Sequence, residues 1–383
     1  MSPVVGIDVT PLLGARTGVG VFVDGLISAL SGRTDVTLRA YGLTGRGFRR
    51  IGGVLPAGMA FRRLPLPAGL ALRAWAAMNV PPIEPWSGRV DVVHGTNFVV
   101  PPSRRAARLV TVHDLTSLHV PELCTPAARR YPDLVRRAVQ RGAWVHAVSK
   151  SVAAETVEHL GADPGRVRVI YSGAPQERPD ARAGLESGAG PAAEVPQAVG
   201  GPPYILALGT VEPRKDLPSL VAAFDQIAGD HRELELHIAG PPGWGEEALA
   251  RAIGAARHGR RVVRLGWVPD AAVELRGAAL VAYPSLYEGF GFPPLEAMAA
   301  GVPVVATAVA SLPEVLGDAA VLVAPGDVDA LAAALVQVLG DDALRARLID
   351  DGRIRVRRYR WELTGEGFAR LYTELEASVP SRR

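Results

Sequence analysis

The chain has 383 residues, enough for two ordinary domains, and its 48% hydrophobic and 21% charged residues exclude a disordered or fibrous protein. The single cysteine, Cys124, excludes an internal disulfide framework and a four-cysteine zinc site. The sequence begins without the basic and apolar regions of a secretory signal, and no apolar run reaches the ~18 residues of a membrane-spanning helix. These features predict a soluble, cytoplasmic protein.

Charges are unevenly distributed along the chain. Residues 1–172 carry 21 basic and 11 acidic side chains, a net charge of +10, whereas the remainder carries 21 and 28, a net charge of −7. Halves of opposite sign favour two domains with different surfaces. Segment 36–83 has seven arginines and no acidic residue, so it is either a solvated basic face or a surface for peripheral contact with an anionic membrane or acceptor. No nucleic-acid-binding signature accompanies the charge, so we expect no nucleic-acid partner.

The hydrophobic pattern predicts strands that alternate with helices in both halves. Strand candidates lie at 4–9, 36–41, 90–94, 109–113, 144–148, 167–170, 204–208, 234–239, 262–265, 279–283, 302–306 and 320–323. Nearly continuous apolar runs separated by helices are typical of parallel strands buried on both faces. We therefore expect two doubly wound α/β domains, at 1–172 and 204–360. A Gly-, Pro- and Ala-rich linker at 173–203 would join them, and a final helix is predicted over 361–378.

The first candidate motif is a glycine loop between the first strand and a helix predicted near 19–30. Gly18 and Gly20 lie there, and backbone amides at a helix N-terminus can hold phosphate. Val23 occupies the third glycine position of a dinucleotide fingerprint, which makes an NAD(P)-dependent oxidoreductase a remote reading. A structural turn would explain the two glycines equally well.

The second candidate motif, at 209–216, directly follows the strand predicted at 204–208. It contains Arg214 and Lys215, and two cations at the carboxyl end of a buried strand are well placed to neutralise a diphosphate. Lys215 is one of only two lysines in a chain with 40 arginines. A lysine among so many arginines indicates a need for a compact point charge.

The third candidate motif, at 285–298, follows the strand predicted at 279–283. Glu288 lies in the loop, and Glu296 lies about one turn into a helix that two prolines should open. The amides of Phe290, Gly291 and Phe292 would point toward an anion at the start of that helix. A carboxylate in the loop can accept sugar hydroxyls, and one on the helix can accept a ribose diol.

Segment 209–216, the Glu288/Glu296 pair and the sequence at 301–306 closely resemble glycosyltransferase family 4. Members of this family are retaining enzymes of the GT-B fold that use nucleotide-sugar donors. The resemblance extends from the first predicted strand to the final helix. It implies two Rossmann-like domains that face each other across a cleft, the first for the acceptor and the second for the donor. It also implies that the final helix crosses back to pack on the first domain.

The resemblance implies four catalytic residues. His113 would contact the donor sugar, Arg214 and Lys215 would hold the phosphates, and Glu288 would face the transferred sugar. It also implies donor-binding roles for nine residues: Gly18, Gly20, Ser149, Val268, Phe290, Gly291, Phe292, Leu295 and Glu296. The two N-terminal glycines would approach the diphosphate, Val268 would lie against the base, and Glu296 would bind the ribose. From the residues alone, His113 would be interpreted as a core histidine bonded to the backbone.

The implied reaction needs no metal and no cofactor besides the nucleotide-sugar substrate. Asp327 and Asp329 superficially resemble a metal-binding D-x-D motif, but they open a predicted helix, so Asp327 is better interpreted as an N-cap. Two routes to retention stay open. In one, the acceptor attacks from the front face with help from the leaving phosphate, and in the other Glu288 is a transient nucleophile.

The segments at 6–12 and 17–20 look most like mannosyltransferases of polysaccharide assembly in this family. The favoured donor is therefore GDP-mannose, while UDP- and dTDP-sugars stay open. We expect transfer of a hexosyl residue to a glycan, a glycolipid or another hydroxyl acceptor, with peripheral membrane contact through 36–83 as a hypothesis. The alternative from another class is a non-catalytic nucleotide-sugar-binding protein. The arginine–lysine pair and the two glutamates argue against an epimerase or a phosphorylase.

Overall fold

The computed structural model of the protein describes residues 2–13, 17–42, 55–56, 58–63, 68–174, 201–268 and 270–379. Its contacts divide the chain into two compact units. The N-terminal unit comprises Met1–Gly173 and Tyr359–Arg383, and the C-terminal unit comprises Ala174–Arg358. Most of the predicted linker, at 175–200, lies outside the described residues.

The N-terminal unit contains a seven-stranded parallel sheet in the order β3-β2-β1-β4-β5-β6-β7. Its strands are β1 Val4–Asp8, β2 Thr37–Gly42, β3 Phe61–Arg63, β4 Val92–Gly95, β5 Ala107–Val112, β6 Trp144–Ala147 and β7 Val167–Val169. The helices of this part are α1 Gly18–Ser31, α2 Ala68–Met78, α3 Glu84–Ser87, α4 Thr116–His119, α5 Tyr131–Gln140 and α6 Lys150–Leu160. Strand β1 is central, and Val5 is paired with Leu38 on one side and with Val92 on the other.

The C-terminal unit contains a six-stranded parallel sheet in the order β10-β9-β8-β11-β12-β13. Its strands are β8 Tyr204–Leu208, β9 Glu235–Ala239, β10 Val262–Gly266, β11 Leu280–Tyr283, β12 Val304–Thr307 and β13 Val321–Val323. Its helices are α7 Leu217–Ile227, α8 Glu246–Ala255, α9 Ala271–Gly277, α10 Phe292–Ala299, α11 Leu312–Leu316, α12 Val328–Gly340 and α13 Asp342–Val356. Phe224, Leu236 and Leu335 are fully buried in its core, between the sheet and its helices.

The last helix, α14 Trp361–Ser378, belongs to the N-terminal unit and packs against α1. The Trp361 ring lies close to two glycines. A Cβ at Gly25 would be 2.2 Å from the ring, and a Cβ at Gly173 would be 2.4 Å from it. Only glycine fits at those two positions, because real Cβ atoms do not approach other heavy atoms so closely. The two glycines therefore let α14 dock on the first half of the chain.

A chain of buried hydrogen bonds fixes α14 to the sheet of the same unit. It joins Tyr372 Oη to His94 Nδ1 at 2.8 Å, His94 Nε2 to Thr111 Oγ1 at 2.7 Å and Thr111 Oγ1 to His146 Nδ1 at 3.0 Å. The chain ends where His146 Nε2 meets the carbonyl oxygen of Ile170 at 2.9 Å. All four side chains are fully buried.

The last of these hydrogen bonds, from His146 to the Ile170 carbonyl, determines which atom carries the proton in each of the others. A carbonyl only accepts, so His146 donates from Nε2 and its Nδ1 accepts from the Thr111 hydroxyl. Thr111 then accepts from His94 Nε2, and Tyr372 donates to His94 Nδ1. Burial lowers the pKa of His146 to about 3 and that of His94 well below its usual range, so both rings are neutral. We name these four side chains the neutral chain.

The sheets match the predicted α/β architecture closely. All twelve predicted strands are present with ends within two residues of the prediction, and every strand pair is parallel. One strand was missed: β3 pairs with the edge of β2, and Arg62 and Arg63 interrupt the apolar pattern there. Helix α1 begins at Gly18, one residue before the helix predicted near 19–30, so Gly18 and Gly20 lie in its first turn.

Candidate functional site

The strand order of the C-terminal unit places two loops side by side. The chain continues from β8 to β9 and β10 on one side of the sheet, whereas β11 begins the other side. The segments after β8 and β11 therefore leave the same edge of the sheet in adjacent positions. In open parallel sheets this switch point, at the carboxyl ends of the strands, is where ligands usually bind.

These two loops bring three of the predicted catalytic residues together. Lys215 Nζ donates to Glu288 Oε1 at 2.6 Å, and Arg214 Nη1 donates to the same oxygen at 2.7 Å. The amide of Leu286 donates to the Arg214 carbonyl at 2.8 Å and ties one loop to the other. We name Arg214, Lys215 and Glu288 the charged cluster.

The charged cluster is largely shielded from solvent. Lys215 is 8% exposed and Glu288 is 7% exposed. Burial alone would raise the pKa of Glu288, but the charges of Arg214 and Lys215 outweigh it and lower that pKa to about 2. Burial lowers the pKa of Lys215, and the neighbouring Glu288 carboxylate opposes that shift. The glutamate is therefore ionised at neutral pH, with two cations on one of its oxygens.

Two further residues hold the charged cluster in place, and the sequence analysis missed both. Lys215 Nζ donates to Tyr283 Oη at 2.5 Å, and Arg214 Nε donates to Glu212 Oε2 at 2.8 Å. Burial raises the pKa of Tyr283 well above its usual range, so its hydroxyl stays protonated. The signal that could have found Tyr283 is its position as the last residue of a buried strand that enters the site.

Glycines allow the loops of this edge to approach each other. Gly240 follows β9 with φ of 154°, and a Cβ there would lie 1.9 Å from the Gly209 carbonyl oxygen. Gly209 follows β8 with φ of 137°, and its ideal Cβ position is 3.3 Å from Lys215 Cε. Glycine is required at Gly240 by the contact and at both positions by the positive φ. The lysine lies directly over this glycine turn.

Helix α10 begins beside the charged cluster. Gly291 has φ of 101° as its N-cap residue, and a Cβ there would be 2.7 Å from Leu312 Cδ2. Phe290 is buried, with its ring edge-to-face against Phe292 at 5.2 Å. Two prolines follow in the first turn, where the missing amide hydrogen costs nothing. Because Pro293 and Pro294 carry no amide hydrogen, the backbone N–H donors at the start of α10 are those of Gly291 and Phe292.

The other donor-binding residues predicted in this unit have different environments. Leu295 is fully buried on α10, whereas Glu296 on the same helix is half-buried. Val268 is half-buried in the segment after β10, beside Trp267, which is 63% exposed. The side chain of Leu295 therefore packs in the core, and Val268 and Glu296 are reachable from solvent. Their donor contacts stay predictions.

In the N-terminal unit, His113 follows β5 at the carboxyl edge of the sheet. Its Nε2 donates to the Thr96 carbonyl at 2.7 Å, and its ring packs edge-to-face on Phe22 and Phe98. Burial lowers its pKa, so the ring is neutral with its proton on Nε2. This is the backbone bond that the residues alone indicated, and the catalytic role of His113 stays a prediction.

The three remaining predicted residues of this unit lie at helix starts. Ser149 is fully buried, and its Oγ accepts from the Val152 amide at 3.2 Å as the N-cap of α6. Gly18 is exposed and Gly20 is buried, both in the first turn of α1. The structure therefore gives Ser149 a capping role, and donor contacts of these residues stay predictions.

The D-x-D sequence is a helix cap, as predicted. Asp327 accepts from the Ala330 amide at 2.8 Å and caps α12. Within the described ranges, no group of three or more His, Cys, Asp or Glu side chains could hold a metal ion.

Only part of segment 36–83 can be described. Arg46, Arg49 and Arg50 lie outside the described residues, whereas Arg62 is exposed on β3 and Arg39 donates to the Arg89 carbonyl. None of the helices in the described part of the chain combines the length and apolarity needed to cross a membrane.

Comparison with known sequences identifies relatives of both units. The family model described as Glycosyltransferase Family 4 matches residues 16–178, and that described as Glycosyl transferases group 1 matches residues 202–341. The O-antigen chain mannosyltransferase B of Escherichia coli is 40% identical over 162 residues, 42% of each chain. The phosphatidyl-myo-inositol mannosyltransferase of Mycobacterium leprae is 38% identical over 44% of this chain and 45% of its own. The chain thus aligns with less than half the length of these two relatives.

Two further matches extend over more of the chain. The glycogen synthase of Mycobacterium tuberculosis is 31% identical over 308 residues, which are 75% of this chain and 69% of that protein. The structure of sucrose-phosphate synthase from Thermosynechococcus elongatus superposes with a TM-score of 0.74 at 22% identity, over 99% of this chain and 100% of that one. The chain belongs to glycosyltransferase family 4 and has the GT-B fold.

Proposed function

We propose that the protein is a retaining glycosyltransferase that moves a hexosyl residue from a nucleotide-diphosphate sugar to a hydroxyl acceptor. The observation that carries this proposal is the charged cluster, in which Arg214 and Lys215 converge on one oxygen of Glu288 at the switch point of the C-terminal sheet. Helix α10 begins at Phe292, four residues after Glu288, and the amides of Gly291 and Phe292 lie at its N-terminus. Such a site suits the diphosphate of a donor.

The charged cluster would act mainly on the leaving group. As the glycosidic bond breaks, the sugar gains oxocarbenium character and negative charge grows on the diphosphate. Arg214, Lys215 and the amides of Gly291 and Phe292 would stabilise that charge, and the burial of the charged cluster strengthens the attraction. Preorganised groups of this kind usually contribute the largest single part of a rate enhancement.

Glu288 would orient the sugar and the cations rather than attack the sugar. Its carboxylate is ionised, but two cations lie on Oε1 and withdraw electron density from the group that would have to attack. This supports front-face transfer, in which the leaving phosphate assists removal of the acceptor proton. His113 would contact the transferred sugar, Glu296 the ribose and Val268 the base.

For the donor we propose GDP-mannose. Two of the relatives are named mannosyltransferases, each aligned over less than half of its length. For the acceptor we propose a hydroxyl group of a glycan or of a lipid-linked sugar. The name of the Mycobacterium leprae relative, which contains phosphatidyl-myo-inositol, and the acid-free segment 36–83 support a lipid-linked acceptor.

The activity is tested by measuring nucleotide release from GDP-mannose, UDP-glucose, UDP-galactose and dTDP-glucose, with and without a pool of glycan acceptors. We expect the fastest release from GDP-mannose, and we expect NMR of the product to show the same anomeric configuration as the donor. Lys215→Ala should abolish most of the release, whereas Lys150→Ala at the other, exposed lysine should not. Tight binding of GDP-mannose without any GDP release would instead indicate a non-catalytic binding protein.

We also propose peripheral contact of segment 36–83 with anionic membranes from a cytoplasmic location. The test is flotation with anionic liposomes, comparing the unmodified chain with a variant in which Arg49, Arg50, Arg62 and Arg63 are replaced by glutamine. The variant should be recovered with the liposomes much less than the unmodified chain. Equal recovery of both proteins would contradict the proposal.

A further inference from the structure

A small cavity lies in the N-terminal unit, beside Arg108 at the start of β5. It has a volume of about 30 Å³, which suits a small inorganic group and is too small for a whole nucleotide sugar. Residues from α2, from the β4–β5 connection, from β5 and from α5 line it, among them Trp75, Val99, Leu134, Arg108, Arg137 and Arg141. The cavity thus combines an apolar wall with three guanidinium groups.

Among the described residues that line this cavity, none is acidic. Arg108 donates from Nη2 to the Arg141 carbonyl, and Arg141 donates from Nη1 to the Trp75 carbonyl at 2.8 Å. These bonds use one nitrogen of each group, and a guanidinium has five N–H donors, so both arginines retain donors for another partner. Carbonyl bonds position the two cations without neutralising them.

The two positive charges are close enough to repel each other. Burial and the charge of Arg141 lower the pKa of Arg108. Among the described residues, neither arginine forms an ion pair with a carboxylate. Segment 36–83, which supplies Trp75, has no acidic residue either. Partly buried charges without a counter-charge raise the free energy of the fold, and a bound anion would remove that cost.

The cavity is separate from the predicted site residues of the same unit. Arg108 lies at the start of β5, and His113 follows the end of that strand. Five residues of extended chain separate them by roughly 16 Å. An anion beside Arg108 would therefore not contact a sugar beside His113.

We propose that Arg108, Arg137 and Arg141 bind the phosphate group of an anionic ligand in this cavity. Guanidinium groups match the oxygen geometry of phosphate, and paired N–H donors make such contacts strong and specific. The phosphate could belong to a soluble phosphomonoester or to a phospholipid headgroup. This proposal does not depend on the proposed transferase activity.

The test measures phosphate binding by calorimetry at low ionic strength. All proteins carry Lys215→Met, which removes the cation most suited to bind phosphate in the charged cluster. We expect the parent to bind inorganic phosphate, and we expect Arg108→Gln with Arg137→Gln to weaken binding at least tenfold. Arg104→Gln with Arg105→Gln, two exposed arginines near the same edge, is the matched control and should bind as the parent does.

Equal phosphate affinity in the parent and in the Arg108→Gln/Arg137→Gln variant would overturn the proposal, as would no binding by the parent. If the double variant does not fold, Arg137→Gln alone, at an exposed position on α5, should still weaken binding several-fold. A selenate soak of crystals of the unmodified protein gives an independent answer, because an anomalous peak is expected between Arg108 and Arg141. An empty cavity in those crystals would count against the proposal.

The source of the phosphate is distinguished with glycerol 3-phosphate and with phosphatidylglycerol vesicles, using phosphatidylcholine vesicles as the reference. Binding of glycerol 3-phosphate that depends on Arg108 and Arg137 supports a soluble ligand, and the same dependence with phosphatidylglycerol supports a lipid headgroup. If binding in both assays is independent of Arg108 and Arg137, the proposal is contradicted. Release of GDP from GDP-mannose is recorded in parallel without the Lys215 substitution, so a failure of the transferase proposal is seen separately.

Discussion

The two units bury polar side chains in opposite ways. In the N-terminal unit the neutral chain of Tyr372, His94, Thr111 and His146 carries no charge, and each member has a defined donor or acceptor role. In the C-terminal unit the charged cluster buries a carboxylate with a lysine and an arginine. Both arrangements satisfy their buried groups, but only the second keeps charge available for a ligand.

This difference separates a structural role from a functional one. A neutral chain whose protons are all assigned holds α14 on the sheet and offers nothing to an anion. A buried ionic cluster stabilises a fold poorly, because desolvation offsets much of the Coulomb attraction. The position of the charged cluster at the switch point is better explained by function, because its two cations could bind a diphosphate. The predictions below test this contrast from the largest expected effect to the smallest.

The largest effect is expected from Lys215→Ala. Loss of the lysine removes one cation from the developing diphosphate charge, so kcat/KM for donor turnover should fall roughly 10²–10³-fold. Nucleotide release with varied donor concentration measures it. Lys150→Ala is the matched control, since Lys150 is the only other lysine and is exposed at the start of α6. A decrease of equal size in both variants would show that Lys215 has no special role.

Glu288→Gln should separate binding from turnover. The amide keeps the shape of the side chain but removes the negative charge beside Arg214 and Lys215, so these cations attract a nucleoside diphosphate more strongly. We expect the nucleotide to bind as well as before or more tightly, while turnover falls about a hundredfold. Calorimetry and nucleotide release measure the two effects. Equal losses of affinity and turnover would contradict the role given to Glu288, and the exposed Glu247→Gln serves as control.

Acid should destabilise the N-terminal unit first. The pKa of His146 is about 3 in the folded protein against 6.5 for an ordinary histidine, so only the unfolded state binds the proton between these values, and stability falls as pH drops below 6.5. The full shift of the His146 pKa corresponds to roughly 5 kcal/mol of unfolding free energy. His94 acts in the same direction. Burial raises the pKa of Asp8 to about 6, although its hydrogen bonds with Thr10 oppose that shift. Asp8 therefore adds stability as the pH falls from 6 to 3.8, the opposite of the effect of His146.

The C-terminal unit should resist acid to a lower pH. Glu288 has a pKa of about 2 in the folded protein, so the stability it contributes is lost only as pH falls from 4.5 toward 2. Amide hydrogen exchange would be measured at pH 7 and pH 5 and corrected for the pH dependence of the intrinsic rate. At pH 5 the amides of β4, β5 and β6 should exchange faster than at pH 7, whereas those of β11 and β12 should change little. Equal loss of protection in both units would contradict the contrast.

Thr111→Val should cost the N-terminal unit about 1–3 kcal/mol of unfolding free energy, because it leaves His94 Nε2 and His146 Nδ1 without a partner. Tyr372→Phe removes only one donor from the same chain and should cost less. Urea unfolding measures both. Neither variant should change nucleotide affinity, and a change as large as that of Lys215→Ala would refute the structural role.

The smallest effect is expected at the D-x-D sequence. Asp327→Ala should cost about 1 kcal/mol through loss of the α12 cap, and Asp327→Asn should cost less because asparagine also caps helices. Thermal unfolding and donor turnover with added Mn²⁺ measure the two aspects. If both variants lost turnover and Mn²⁺ restored it, the cap interpretation would be wrong.

The sequence predicted the sheets and singled out the residues of the charged cluster for clear physical reasons, although it did not predict the ion pairs between them. Buried parallel strands produce continuous apolar runs, and polar residues directly after such strands must lie at the carboxyl edge. Arg214, Lys215 and Glu288 follow β8 and β11, which are adjacent in the sheet. Their proximity therefore follows from the strand order once the two strands are recognised as neighbours.

The remaining features depend on tertiary contacts that one-dimensional patterns do not encode. Tyr283 has the pattern of an ordinary core residue until Lys215 is placed beside its hydroxyl. The neutral chain joins residues as far apart as His94 and Tyr372, and no local spacing links them. Ser149 illustrates the opposite case, because a serine directly before a helix is a local N-cap signal, but the sequence analysis gave it only a donor-binding role, and its capping role is seen in the structure.

The central claim is that the charged cluster binds the donor diphosphate, and nucleotide binding tests it most directly. Thermal unfolding of the unmodified protein, Lys215→Ala and Lys150→Ala would be measured with GDP, UDP, dTDP and ADP. We predict that one nucleotide, GDP in the proposed case, stabilises the unmodified protein and Lys150→Ala but not Lys215→Ala. Stabilisation of Lys215→Ala to the same extent, or no response of the folded protein to any nucleotide, would contradict the claim.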